Sequence, residues 1–204
     1  MEQSRKRLFI SKKNSARERE EIIKWAAENM YDTVVFSLDD KLFRSTIGNP
    51  KYVKLIKRHS IIIEAGGRDL SLLLPRQLFM FHRDLFRMAE GKRKSDRYFC
   101  PTNPKTTAII IERAQYLFAR AMQKVTPPRI FHFLPDEGHE NSWCACPACR
   151  AFSPAEQLII AVNTAADALA KLDPQAQLSF FDFGTDPEAE GIAPRKNMFR
   201  LQIP

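Results

Sequence analysis

The sequence predicts an α/β protein: a (β/α)8 TIM-barrel-like fold, present as a partial barrel of about six parallel strands with helices outside. Three observations predict it. Short β-branched runs alternate with longer helical patterns, the signature of strands joined by helical crossovers. One run, "SIIIEA" (60–65), is apolar almost throughout, as in a strand buried on both faces. Polar residues gather just after the runs: Asp39 and Asp40, Glu64, Asp136 and Glu137, and Asp182. A barrel or an open doubly wound sheet places its active site there.

The elements follow in order. "RLFIS" (7–11) is the first strand. Ser15 with Glu18 reads as a capping box, and Ile22, Ile23, Ala26 and Met30 recur at helical spacing behind it. "TVVFSL" (33–38) is the second strand, and a short helix from Pro50 to His59 leads into the third, 60–65. Residues 66–101 form a long excursion with one helix expected over about 77–90. Asn103 then caps a helix that has Pro104 in its first turn and Ile110, Ala114, Leu117 and Ala121 along one face. "RIFHFL" (129–134) is the fourth strand. Ser153, Pro154 and Glu156 open a last helix with Leu158, Val162, Ala165, Leu169 and Leu172 as its buried stripe. Strands at about 176–182 and 197–203 complete the set. With about six of eight strands read, residues 1–204 are expected to be one barrel domain truncated at its C-terminus, with a cysteine-rich loop at 135–153.

A chain of 204 residues with 44% hydrophobic and 27% charged residues has the makings of a real core. The formal charge of +8 raises the question of a polyanionic partner. The basic residues cluster at 5–19 and 92–97, but no aromatics are interleaved with them as single-strand binding requires, so nucleic acid is disfavoured. No segment approaches the roughly 20 apolar residues that span a bilayer, so no membrane partner is expected. The basic N-terminus lacks the apolar run of a signal peptide. Taken literally the chain is cytoplasmic, or exported if it is excised from a longer protein. "EAGGRD" lacks the spacing of a phosphate loop.

The chemistry concentrates in "FHFLPDEGHENSWCACPACR" (131–150). Asp136 and Glu137 stand at a strand end, where alternation of side chains breaks down and both carboxylates can reach one pocket. Close carboxylates split their pKa values, leaving one ionised and one able to donate a proton, as glycosidic cleavage requires. "PDEG" is equally good turn chemistry. Cys144, Cys146 and Cys149 sit close enough in sequence for thiolates to converge on a soft tetrahedral metal, with zinc the usual one. A fourth ligand would be Cys100 or His139, with Cys100 favoured, and the zinc would be structural. A disulfide within the cluster is the alternative. Trp143 offers a sugar-stacking platform or packing over this loop. Arg68 and Asp69 offer grips for substrate hydroxyls or an internal ion pair, and Asp182 is a further pocket candidate.

"IFHFLPDEG" resembles the strand-four motif of the family 20 glycoside hydrolases, the β-N-acetylhexosaminidases, with His132 four residues before the Asp-Glu pair. "FCPTNPKT", "IIIEAGG" and "SLDD" agree with that family in order. "GGRDLSLLLPRQLF", "LFRMAEGKR" and "WCACPACRAFSPAEQ" resemble signatures of a bacterial group sharing that barrel, domain of unknown function family 4838. The resemblance implies a carbohydrate substrate, Glu137 as general acid/base, and Asp136 orienting a substrate acetamido group that attacks the anomeric carbon. The expected residues around the substrate are His132, Glu64, Asp39, Asp40, Arg68, Trp143 and Asp182. Leu134 and Pro135 stand where the family has two small glycines, and Phe36 where it has a histidine. Two other readings are a zinc-stabilised nucleic-acid-binding module and a glycan-binding barrel without catalysis.

Overall fold

The structure is a computed structural model and describes residues 5–10, 15–38, 49–96, 98–123, 127–136, 143–181 and 191–201. A six-stranded sheet forms its centre, with strands β1 (Arg7–Ile10), β2 (Thr33–Phe36), β3 (Ile62–Gly67), β6 (Ile130–Phe133), β7 (Gln177–Phe181) and β8 (Met198–Leu201) in that spatial order. Every adjacent pair is parallel. The helices are α1 (Ala16–Glu28), α2 (Pro50–Arg58), α3 (Pro104–Met122) and α4 (Pro154–Leu172). This is the partial barrel that the alternation predicts. The third strand starts two residues later than expected, because Ile61 still bonds back to Ile56 at the end of α2 and Ser60 adopts a positive φ of 53°.

The helix starts follow from their caps. Ser15 and Glu18 exchange bonds across the first turn of α1, and Ser153 and Glu156 do the same for α4. The Asn49 and Asn103 side chains each accept from a backbone N–H two residues on, ahead of a proline in the first turn. Phe131 and Phe133 point outward against Phe118 of α3, with ring centroids 4.8 and 5.6 Å away. Strand alternation therefore turns His132 inward, together with its lateral neighbours Ser179 and Gly66.

The sheet is strongly curled. On a flat sheet β1 and β6 would lie three strand spacings, about 14 Å, apart. Yet the Phe9 and His132 rings meet at 5.5 Å. The two edge strands also face each other, since the Arg7 guanidinium lies 5.6 Å from the Phe199 ring centroid. Curling of this degree is the geometry of barrel closure.

The helix expected over 77–90 does not form. Three 3₁₀ turns (Leu70–Leu73, Arg76–Met80, Arg83–Leu85) and a two-stranded hairpin, β4 (Met88–Ala89) with β5 (Lys92–Arg93), occupy the excursion. Glu90 and Gly91 link β4 to β5 with φ of 53° and 72°, the pair of positive angles that a tight hairpin turn requires and a helix forbids. The apolar residues of this stretch serve packing: Leu85 and Phe86 are buried, and Phe79 meets Phe86 edge-on at 5.2 Å.

At Gly66 the backbone of β3 passes tightly against that of β6. Its φ is +112°, and a Cβ there would lie 2.0 Å from the His132 carbonyl oxygen. Gly66→Ala should cost roughly 3 kcal/mol or more from strain and overpacking combined. A denaturant midpoint unchanged from wild type would contradict that contact.

Candidate functional site

Two polar constellations and one thiol cluster occupy the described residues where sequence reasoning looked for chemistry. The first lies inside the curled sheet. Glu64 (β3) is fully buried and accepts from Arg7 (β1) through Nε at 2.7 Å and Nη2 at 3.3 Å, with Arg5 at 3.5 Å. His132 (β6) lies with Nε2 2.7 Å from the same carboxylate and Nδ1 2.6 Å from Ser179 Oγ (β7). Burial works against the charged form of Glu64, but bonds from His132 and Arg7 outweigh it and hold the carboxyl below its ordinary range. Burial likewise holds the His132 imidazole below its usual value, against the pull of Glu64. The consistent state is an anionic Glu64 and a neutral His132 that donates from Nε2 and accepts the Ser179 hydroxyl proton at Nδ1. Glu64 and His132 were expected among substrate-binding residues; the structure places both in a closed internal bridge.

The second constellation is at the C-terminal ends of the strands. Asp69, just past β3, is buried and accepts from Ser37 Oγ at 2.9 Å and Leu38 N–H at 3.0 Å, both just past β2. Asp136, just past β6, is buried and accepts from Ser71 N–H at 2.9 Å and Ser71 Oγ–H at 2.8 Å. Leu134 N–H bonds Gly67 O and Leu70 N–H bonds Leu134 O, knitting the same ends through the backbone. Arg68 is exposed at this rim. Trp143 is half-buried, 5.1 Å from the Tyr98 ring. Asp39, Asp40, Glu137, His139 and Asp182 lie outside the described residues.

The thiols form a small core of their own. Cys100, Cys144, Cys146 and Cys149 are buried and unpaired by disulfides, and their four sulfurs lie within 4.8 Å of one another. Cys100 is thereby the fourth member of the cluster, brought in by the excursion before α3. Its sulfur is 3.7 Å from that of Cys146 and 3.6 Å from that of Cys149. A tetrahedral site with metal–sulfur bonds of about 2.3 Å has edges of about 3.8 Å, so the donor set fits a thiolate-bound metal ion. Hydrogen bonds from Cys144 and Cys149 draw the Cys100 thiol far below its ordinary value. The same sharing with Cys100 pushes Cys144 up to about 11 and raises Cys149 as well. Arg93, on β5, bonds to Cys100 and adds positive charge at the rim of the cluster. The Met88 N–H, on β4, points to Cys144 Sγ at 3.3 Å.

Sequence reasoning missed Arg7, Ser179, Ser71 and Gln157. The first two had a signal: alternation puts Arg7 on the same face as Phe9, and Ser179 sits between Leu178 and Phe180. Ser71 acts on a residue 65 positions away and left no local trace, whereas Gln157 closes the motif "WCACPACRAFSPAEQ" and acts on backbone groups 5 to 13 positions before it.

No protein-family model and no curated protein matches the chain. Solved structures do. A structure of the tandem GH20 catalytic modules in the pneumococcal exo-β-D-N-acetylglucosaminidase StrH aligns with a TM-score of 0.56 at 15% identity, over 95% of this chain and 57% of that one. Another, concerned with inhibition of the pneumococcal virulence factor StrH and with N-glycan recognition and hydrolysis, aligns with 0.58 at 12% identity, over 97% and 58%. The chain has a glycoside-hydrolase-like fold. It spans less than three fifths of the length of either structure. Among the described residues no helix is long and apolar enough to cross a membrane.

The buried bridge makes stability sensitive to acid. His132 stays neutral in the fold where the unfolded chain would be protonated, so stability should fall as pH drops below the ordinary imidazole value of 6.5. A second loss follows below 4.5 as Glu64 approaches its lowered folded value. The first slope should be at most about 1.4 kcal/mol per pH unit for one proton. His132→Gln, which keeps a donor for Glu64 but does not titrate, should flatten that limb in denaturant melts; an unaltered limb would assign it to other groups.

Proposed function

We propose that the chain belongs to a glycoside hydrolase that acts on a carbohydrate by acid/base catalysis at the C-terminal ends of the barrel strands, with Glu137 as the general acid/base. The observation that carries this reading is the fixed position of Asp136. Its carboxylate is held at the strand ends by two bonds from Ser71, so the chain enters Glu137 from an anchored point on the face where such barrels do chemistry. The fold likeness supports the same class. The motif "WCACPACRAFSPAEQ" supports placing the chain within domain of unknown function family 4838.

In this reading Glu137 donates its proton to the leaving glycosidic oxygen and later accepts one from water. Asp136 orients a substrate acetamido group, whose oxygen attacks the anomeric carbon. Asp39, Asp40 and Asp182 surround the sugar from neighbouring strand ends, and Arg68 and Trp143 flank it. Leu134, which is buried, and Pro135 narrow the approach where the resembling family has glycines. β-N-acetylglucosaminides are the first substrates to test, given what the StrH structures describe.

The cysteine cluster is a zinc site in the same reading. Four sulfur ligands leave no open position, so the metal would be structural and would hold the chain that returns from Glu137 at Cys144. Elemental analysis should find one zinc per chain, and Cys100→Ser should lower the metal content; a zinc-free wild type would remove the assignment.

Glu137→Gln should reduce turnover of glycosides with poor leaving groups by about 100- to 10,000-fold. Activated aryl glycosides should lose less in the first step because their leaving groups need little protonation. Asp136→Asn should impair 2-acetamido substrates and spare 2-hydroxy ones. Equal losses on both aryl and alkyl glycosides would rule out general acid catalysis by Glu137.

A further inference from the structure

We propose that Gln157 is the positioning residue of the thiol site, holding the cysteine loop in ligating geometry before any metal arrives; this rests on reading the cluster as a zinc site. Gln157 is the fourth residue of α4 and is 3% exposed. Its Oε1 accepts the Cys144 N–H at 3.0 Å. Its Nε2 donates toward the carbonyls of Cys144 at 3.1 Å, Cys149 at 3.2 Å and Phe152 at 3.3 Å. One side chain thus engages the backbone of two ligands and of the residue at which the loop turns into α4.

Only a primary amide can make this set. It offers an acceptor and two N–H donors from one planar group. Glutamate would turn an acceptor toward three carbonyl oxygens, and an aliphatic side chain would leave those groups buried and unpaired. Other bonds complete the frame. Arg150 N–H bonds the Cys146 carbonyl at 3.0 Å, Ala145 N–H bonds the Met88 carbonyl at 2.8 Å, and Cys100 N–H bonds the Leu85 carbonyl at 2.8 Å. Thr102 Oγ1 lies 3.1 Å from Cys149 Sγ. The cluster therefore needs little ordering when a metal binds, and an ordering cost already met by the fold appears as affinity. It also sits apart from the main hydrophobic core, with Met88 packed against it.

The test uses the full chain, stripped of metal under reducing conditions and titrated with cobalt(II), then zinc against a competing chelator. Wild type should bind one ion with the absorption of a four-sulfur tetrahedral cobalt site. Gln157→Ala and the isosteric Gln157→Glu should bind about 10- to 100-fold more weakly, the usual loss when a partner of metal ligands is removed. A general packing defect would lower the thermal midpoints of metal-free and zinc-bound protein equally. The positioning role instead shrinks the increment that zinc adds, because lost affinity is lost ligand stabilisation. Wild-type affinity in both variants would overturn the role of Gln157, and so would loss of the folded far-UV signal in both metal-free variants. A wild type that binds no ion, or a Cys100→Ser chain that binds as tightly as wild type, would overturn the zinc reading itself.

Discussion

A charged carboxylate in the middle of a curled sheet is the constraint on which the rest of this structure depends. Glu64 is fully buried, and an isolated ion there would be untenable. Its neutralisation recruits Arg7 from β1 and the His132 proton from β6, and His132 in turn fixes Ser179 on β7. Four strands are tied to one another through a line of side chains on the inner face of the sheet. The bridge is better understood as a source of register and curvature than of net stability, because burying ions offsets much of what their attraction contributes. Removing one partner is a different matter and typically costs roughly 3–5 kcal/mol, since the other charge stays buried.

Above that layer the strand ends are organised by carboxylates of another kind. Asp69 gathers the chain after β2, and Asp136 gathers the excursion after β3 to the end of β6. Each accepts from one backbone N–H and one serine hydroxyl, so each fixes a loop conformation as well as a contact. The thiol cluster performs the same service farther along the chain, drawing Cys100 from the excursion to the loop that leads into α4. The stretch from Glu137 to residue 142 therefore leaves one anchored residue and arrives at another. Two different chemistries, a hydrogen-bonded carboxylate and a sulfur cluster, bracket the residue proposed as the acid.

Much of the architecture was legible because its signals are local. The capping boxes at Ser15 and Ser153 and the Asn-Pro start at 103 locate helices through bonds that span three residues or fewer. The strands declared themselves as β-branched runs, and the spacing of Cys144, Cys146 and Cys149 pointed to a thiol cluster. The misread excursion shows the limit. Its apolar residues recur at a helix-like interval, yet paired positive φ values at Glu90 and Gly91 stop a helix, and Glu-Gly is a weaker hairpin signal than Asn-Gly or Asp-Gly.

The sequence by itself determined the alternation of strands and helices, the parallel order of the central strands, the placement of Asp136 at a strand end and three of the four thiols. These depend on periodicity, caps and short spacing, which are properties of neighbouring residues. Tertiary structure alone decided that Glu64 and His132 form a closed bridge, that Ser71 holds Asp136, that Cys100 completes the cluster and that Gln157 shapes it. Each of those contacts except the last joins residues more than 40 positions apart, and Gln157 reaches back 13. Their meeting is set by how far the sheet curls and where the excursion lands, and no local pattern of side chains encodes either quantity.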